Sequence, residues 1–381
     1  MPSSETDPVA PAATPPPDAS SEIPSGRPAS RAEHTIRDIA RLAGVSRSTV
    51  SLALNDSPKI NKLTKAKVLE VIAGVGYRPN ATARNLVRRN SNTILVVLPP
   101  INHVFADSYF SESLSGILDD AAPRHFHLMV ELATDEFKQA NDALKLYRQG
   151  TIDGCLCVGG MTTDVYIEEL HAAGCPVVLV NSALGDVPNV VANNLQAAFR
   201  AVKHLHSLGH RRIAHIQGSD LVTSALDRTA GYRKAVEELG LDADPKLTAQ
   251  GYFGKRSGQA AMKKLLDVEP RPTAVFTTND MMAIGAIGAI REAGLRVPED
   301  VAVFGGDDVQ LGQYVEPRLS TIGQSMYSIG QAAADHLFAH LEGRRIYNPT
   351  VTVGLRLIIR ESCGSGVERR GEEASAEAPA A

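Results

Sequence analysis

Residues 35–55 read TIRDIARLAGVSRSTVSLALN, and two short helical patterns meet inside them at Gly44. Thr35, with Asp38 three residues on, is a capping box: each side chain satisfies a backbone N–H that a first helical turn leaves unpaired. Ile36, Ile39, Ala40 and Ala43 recur at helical spacing and predict one apolar face. Gly44 ends that helix, because a turn this tight needs a residue free to take positive φ. Val45 fills the corner. Ser46 then caps a second helix through Leu54, with Val50 and Leu54 turned inward. Two helices joined through a short glycine-containing turn are a helix-turn-helix. The outer face of the second helix carries Arg47, Ser48, Thr49 and Ser51. Short or hydrogen-bonding groups near a helix N-terminus suit an approach to base edges in the major groove. A helical hairpin with a polar face shares this pattern, so the following residues decide between the two.

Asn61 can cap a third helix, Lys62 to about Ala73. Its inward set is either Leu63, Ala66, Leu69 and Ile72 or Val68, Val71 and Val75. Gly74 and Gly76 are expected to stop it. Residues 77–80, Tyr-Arg-Pro-Asn, form a turn whose proline cannot continue a helix. Residues 81–87 are a short helical pattern, followed by Arg88 and Arg89. Residues 31–90 carry twelve Lys plus Arg against four Asp plus Glu, a net charge of +8 in a chain whose total is −4. A basic segment on an acidic body is the electrostatic footprint of a nucleic-acid-binding module. Lys59, Lys62, Lys65 and Lys67 are expected to meet phosphates, which gives affinity without sequence information. A solvated lysine face is the plainer reading of those four.

With these residues in view, 34–90 resembles the DNA-binding headpiece of the lactose-repressor/galactose-repressor (LacI/GalR) family of bacterial transcription regulators. The matching words are Thr35-Ile-x-Asp-Ile-Ala, Ala43-Gly-Val-Ser, Thr49-Val-Ser, Asn55 and Tyr77-x-Pro-Asn-x-x-Ala-x-x-Leu86. So many positions at fixed spacing are far more specific than a lone short motif. The resemblance adds Thr35, Leu52, Asn55, Tyr77, Asn80 and Ala83 to the expected DNA-binding residues. It also implies that 80–87 is a hinge helix that folds on operator DNA and wedges Leu86 into the minor groove, kinking the duplex. Leu52 stands where many relatives carry a base-reading arginine, and Val87 where a basic or small residue is frequent. Both leave the DNA-binding role intact and the operator sequence open.

The chain has 381 residues, enough for two or three domains, and its 43% hydrophobic content supports a sizeable core. No run of eighteen apolar residues is present, so no membrane span is expected. Residues 1–33 are rich in Pro, Ser, Ala and Thr and lack the apolar stretch of a secretory signal; they read as a disordered tail. The same holds for 363–381, and a cytoplasmic location follows. Cys155 and Cys157 fall in an apolar strand pattern with side chains on one side. No second cluster at zinc spacing accompanies them, so free thiols are expected and no metal site.

From residue 93 short apolar strands alternate with helical stretches. Strands are expected at 93–98, 127–132, 154–158, 177–180, 212–217, 274–277 and 301–305, each a nearly continuous apolar run of the kind buried on both faces. Helices are expected at 109–122, 136–149, 163–173, 194–208, 228–239, 257–267, 280–293 and 325–342. Repeated β-α units predict doubly wound parallel sheets, here two lobes with a cleft between them. Ligands of such sheets bind beyond the C-terminal strand ends. The polar and aromatic residues there are Tyr109 and Phe110, Asn181, Asn279 with Asp280, and Asp307 with Asp308. No Gly-rich phosphate fingerprint or nucleophile elbow follows any strand, so no catalytic residue and no cofactor is expected.

The body resembles the same family, whose effector domain has the periplasmic sugar-binding fold. The words are Arg228-x-x-Gly-Tyr232, Pro272-Thr-Ala-x-x-x-x-Asn279-Asp280-x-Met-Ala, Pro298-x-Asp-Val-Ala-Val-x-Gly-x-Asp307-Asp308 and Leu319-Ser-Thr-Ile-x-Gln324. The resemblance implies that Arg228 grips the effector, Asn279 hydrogen-bonds it, Asp307 is the cleft carboxylate and Gln324 a crossover residue lining the pocket. Phe253 would stack on the ligand, and Tyr109 and Phe110 would supply an aromatic edge. Asp280 and Asp308 have an alternative as helix caps, and Phe253 as ordinary core. Asn181 replaces an aspartate common in sugar-responsive relatives, and Asn193-Asn194 an Asp-Asn pair, which favours a neutral sugar over a nucleobase or an anion.

The expected organisation is a helix-turn-helix domain at 34–79, a hinge and linker at 80–92, and a periplasmic-binding-protein-like core at 93–362. Lobe 1 would span about 93–192 and 323–349, and lobe 2 about 193–322 and 350–362. The function this implies is a homodimeric regulator, a repressor or an activator, of double-stranded operator DNA tuned by a small-molecule effector. A solute-binding protein is the competing reading, and residues 34–90 argue against it. A sugar-processing enzyme is a third, for which the cleft supplies no activated nucleophile.

Overall fold

The computed structural model describes residues 34–54, 57–77, 91–344 and 348–365. It forms two compact units that divide at Arg84 and Asn85. Asn55, Asn80, Ala83, Leu86 and the expected hinge helix 80–87 lie outside the described residues, as do the tail 1–33 and residues 366–381.

The first unit has three helices: α1 (Ile36–Ala43), α2 (Arg47–Leu54) and α3 (Lys62–Val75). The Thr35–Asp38 capping box opens α1, and Gly44 closes it at φ 67°. The Thr49 amide donates to Ser46 Oγ at 3.1 Å and the Leu63 amide to Asn61 Oδ1 at 2.8 Å, so both expected caps form. Ile39, Ala40, Ala43, Val50, Ala53 and Val68 are the core, surrounded by Val71, Ile72 and Val75. Of the two inward sets for α3 the valine set is the buried one, since Leu63 is 81% exposed. Gly74 does not stop α3. A helical glycine costs only about 1 kcal/mol, and it is Gly76, at φ 63°, that turns the chain away.

In the second unit β1 (Thr93–Leu98), β2 (His127–Leu132), β3 (Gly154–Val158), β4 (Val177–Val180), β5 (Asn189–Ala192) and β11 (Thr350–Val353) make one parallel sheet, ordered β11-β5-β4-β3-β1-β2. A second parallel sheet is ordered β7-β6-β8-β9, from β6 (Ile213–Gln217), β7 (Thr248–Gln250), β8 (Ala274–Thr277) and β9 (Ala302–Phe304). Each has helices on both faces, as the continuous apolar runs predict. Ile94, Val96 and Leu98 enter one core while Leu95 and Val97 enter another. A short antiparallel pair, β10 (Thr321–Gly323) with β12 (Arg356–Ile358), lies beyond β9.

The helices of this unit are α4 (Ser108–Ala121), α5 (Asp135–Ala140), α6 (Asp142–Arg148), α7 (Val165–Ala172), α8 (Asn194–Ser207), α9 (Thr223–Glu238), α10 (Lys255–Leu266), α11 (Asp280–Glu292) and α12 (Met326–Leu341). The expected single helix 136–149 is broken at Asn141, which sits at φ 52°. Glycines let α4 and α12 touch: a Cβ at Gly116 would stand 2.0 Å from the Tyr327 carbonyl oxygen, and one at Gly330 2.2 Å from that of Ser113.

Two boundaries differ from expectation. Residues 350–353 belong to the first sheet, not the second lobe, because β11 pairs with β5 and Val351 and Val353 pack on the first lobe's core. Residue 363, expected to open the C-terminal tail, belongs to the fold: a 3-10 turn covers Glu361–Cys363, and Cys363 is wholly buried in the second lobe.

In the first sheet the chain runs from β1 out to β2 and returns to β3 on the other side. In the second it runs from β6 to β7 and returns to β8. The strand order therefore reverses at β1/β3 and at β6/β8, the crevices where ligands of open α/β sheets bind.

Candidate functional site

Arg228, on α9, is 3% exposed and surrounded by acceptors. Its Nε donates to Asn194 Oδ1 at 2.9 Å. Its Nη1 donates to Asp307 Oδ1 at 3.0 Å and to the carbonyls of Gly306 (2.7 Å) and Thr278. Its Nη2 donates to Gln324 Oε1 at 3.0 Å. A buried guanidinium needs this many acceptors, because an unpaired charge in the interior is strongly disfavoured. Gln324 lies on the crossover between β10 and α12, and its Nε2 donates to Asp307 Oδ1 at 3.2 Å. Both donors use the same oxygen. Among the described residues Asp307 Oδ2 accepts no hydrogen bond, so it is an acceptor still open to a ligand. Burial pushes the Asp307 carboxyl up to about 7 against the pull of Arg228.

The network continues into the first lobe. Asn194 Nδ2 reaches Asn181 Oδ1 at 3.5 Å, and Asn181 Nδ2 donates to the Tyr109 hydroxyl at 3.0 Å. Burial raises that hydroxyl to about 12, so it stays protonated, and it feels the charges of Asp307 and Arg228. Tyr109, Asn181, Arg228, Asp307 and Gln324, five expected effector residues, thus stand in one hydrogen-bonded chain across the two lobes.

The other three behave differently. Phe110 is packed in the first lobe's core, its ring edge against Tyr109, because consecutive residues on α4 point about 100° apart. Asn279 is committed at both ends of its amide: Oδ1 caps α11 by accepting from the Met282 amide at 3.1 Å, and Nδ2 donates to the Phe253 carbonyl at 2.9 Å. Phe253 is half-buried and held at φ 64°. A phenylalanine in that left-handed region is strained and needs such a clamp. Its ring lies where Gly218, lacking a Cβ, leaves room.

Neither Asp280 nor Asp308 caps a helix. Asp280 is fully buried and accepts from Thr321 Oγ1 at 2.5 Å and the Val309 amide at 2.9 Å, tying down the loop that carries Asp307. Asp308 pairs with Arg360 at 2.6 Å. Asn194 and Thr321 appear in the sequence reading only within the Asn193-Asn194 pair and the Leu319-Ser-Thr-Ile-x-Gln324 word, and neither was named there as an effector residue. A polar residue at the start of a helix was the available signal for Asn194. For Thr321 the signal was its place in the Leu319-Ser-Thr-Ile-x-Gln324 word.

In the first unit Arg47 and Ser48 are exposed on α2, and Ser51 and Leu52 are half-exposed. The Ser48 and Thr49 hydroxyls lie 2.7 and 2.8 Å from Ser46 Oγ and so share the cap. Thr35 is likewise engaged with Asp38, at 2.7 Å. Lys59, Lys62 and Lys67 are exposed, whereas Tyr77 is half-buried against the three-helix core.

Residues 35–80 match the bacterial regulatory proteins of the lacI family, and residues 202–363 match the periplasmic binding protein-like domain. The HTH-type transcriptional repressor CytR of Escherichia coli is 36% identical over 331 residues, 86% of this chain and 96% of that protein. The chain belongs to the LacI family. It is a DNA-binding transcriptional regulator and not an enzyme. Two solved LacI-family structures extend the likeness over both units. The transcriptional regulator CelR in complex with cellobiose is 30% identical with a TM-score of 0.68, covering 87% of this chain and 100% of that one. The lac repressor dimer bound to operator and the anti-inducer ONPF is 26% identical with a TM-score of 0.75, covering 87% and 99%.

Among the described residues no three His, Cys, Asp or Glu side chains gather as a metal site, and no helix is long and apolar enough to cross a membrane. All four cysteines are free and buried, with the Cys155 and Cys157 sulfurs 3.7 Å apart on one face of β3.

Proposed function

We propose that the chain is a cytoplasmic repressor that holds a near-palindromic operator as a homodimer and changes its DNA affinity when a neutral, hydroxyl-rich sugar binds between the lobes. The observation that carries the sugar assignment is the open Asp307 Oδ2 beside an Arg228 already paired with that carboxylate and holding one Nη2 bond to Gln324. An anion would find the guanidinium charge already paired with Asp307 and would have to approach that carboxylate. A sugar hydroxyl can donate to Oδ2, and a sugar ring has an apolar face for Phe253 and Tyr109. The α2 face with exposed Arg47 and Ser48 is the proposed reading surface, and Lys59, Lys62 and Lys67 the proposed phosphate contacts. An effector alters operator binding only by preferring one lobe arrangement over the other.

A thermal-shift panel of neutral sugars, sugar phosphates and nucleobases tests this, since a ligand of the folded state raises the melting temperature by mass action. A neutral sugar is expected to shift the wild type and not Asp307→Ala. A shift by sugar phosphates alone would overturn the neutral-sugar reading.

A further inference from the structure

The recognition face of α2 carries one side chain that its chemistry does not explain. Val50 and Ala53 are buried, and Leu54 packs on the three-helix core. Leu52 joins none of this and is left half-exposed. It stands one turn beyond Ser48, so it shares the face of Arg47, Ser48 and Ser51. It is the one apolar member of that face. Leu42, Leu63 and Leu69 are exposed too, but they stand on α1 and α3.

We infer that Leu52 reads the C5-methyl group of a thymine in the operator's major groove. A leucine neither donates nor accepts a hydrogen bond, so it cannot use the polar edges that distinguish guanine, cytosine and adenine. The thymine methyl is the apolar group the major groove presents, and apolar side chains recognise it by contact. Leu52 therefore selects an A·T pair with its thymine towards the second turn of α2. A guanine or unmethylated cytosine there would leave the side chain against a polar edge. 5-Methylcytosine carries the same methyl and would be accepted. This inference rests on the reading that α2 enters the groove.

The test begins with operators selected by the full-length protein from a random duplex library. Each thymine of a selected site is then replaced singly by deoxyuridine, which removes the methyl and leaves every hydrogen-bonding group in place. One position in each half-site is expected to lose about fourfold in affinity, the factor that burial of one such group supplies. The same replacement should cost Leu52→Ala nothing and Leu52→Met about what it costs the wild type. Leu52 lies outside the core, so the variants should melt like the wild type, and the deoxyuridine scan of the wild type needs no variant at all. A scan in which no thymine methyl matters, or a loss that persists undiminished in Leu52→Ala, overturns the inference. Arg47→Ala with unchanged sequence preference would instead remove α2 from the groove, and the inference with it.

Discussion

Arg228 and Asp307 form a buried ion pair, Nη1 to Oδ1 at 3.0 Å, with the side chains 4% and 11% exposed. The arginine comes from α9 and the aspartate from the loop after β9, so the pair fixes that loop to the helix. Gly306 and Thr278 offer carbonyls to the same Nη1. Removing the arginine strands a carboxylate and two carbonyls at once. Breaking a buried pair from one side costs roughly 3–5 kcal/mol. Arg228→Ala is therefore expected to lose effector response and also to destabilise the second unit by that amount in urea unfolding. A wild-type midpoint in the variant would mean that the network does not hold the loop.

The two buried carboxylates make a pH prediction. Burial lifts Asp307 to about 7 and Asp280 to about 6, both above the ordinary value near 4. Between those values the native protein binds more protons than the unfolded chain, so these groups favour folding at low pH. Their contribution is lost as pH rises through about 6 to 7. Asp307→Asn mimics the protonated form. It should match the wild type in urea midpoint below about pH 4, gain on it as pH rises towards 7, and hold that gain above 7. A difference that stays constant from pH 5 to 8 would show that Asp307 does not titrate in this window.

Asn279 links a helix cap to a strained aromatic. Asn279→Ala removes the α11 cap, a loss of about 1 kcal/mol, and frees the Phe253 carbonyl. Phe253 should then leave φ 64°, and effector affinity should fall further than the stability loss explains. Equal affinity in Asn279→Ala and wild type would assign Phe253 a packing role only.

The central strands were legible because burial on both faces writes a continuous apolar run, as in Thr93–Leu98 and Val177–Val180. The strands missed are short: Thr248–Gln250 has three residues and Asn189–Ala192 four, too few for any period to show. Membership of Thr350–Val353 in the first sheet is decided by its pairing with Asn189–Ala192, far back in the chain. Sequence position alone assigns it to the wrong lobe. The site followed the same division. Residues directly after strands, such as Asn181 and Asp307, were found by the strand-end rule. Asp280 looked like a cap, but Asn279 before it takes the cap and leaves Asp280 to reach Thr321, 41 residues on.

Arg47 separates sequence reading from general attraction to DNA. It opens α2, is exposed, and has no ion-pair partner among the described residues. A phosphate contact would weaken binding to every sequence alike and reduce its salt dependence, because one fewer counterion is displaced. A bidentate contact to a guanine instead discriminates by about 1–3 kcal/mol at one base pair. Arg47→Ala is expected to lose that amount on the selected operator and much less on random duplex. The lost preference should fall at a single position in each half-site. Lys62→Ala, changed on an exposed side chain at the start of α3, should weaken both duplexes together and lower the salt slope by about one. Titrations of both variants at two salt concentrations read the difference directly. Parallel losses for Arg47→Ala on operator and random DNA would reduce it to a phosphate contact.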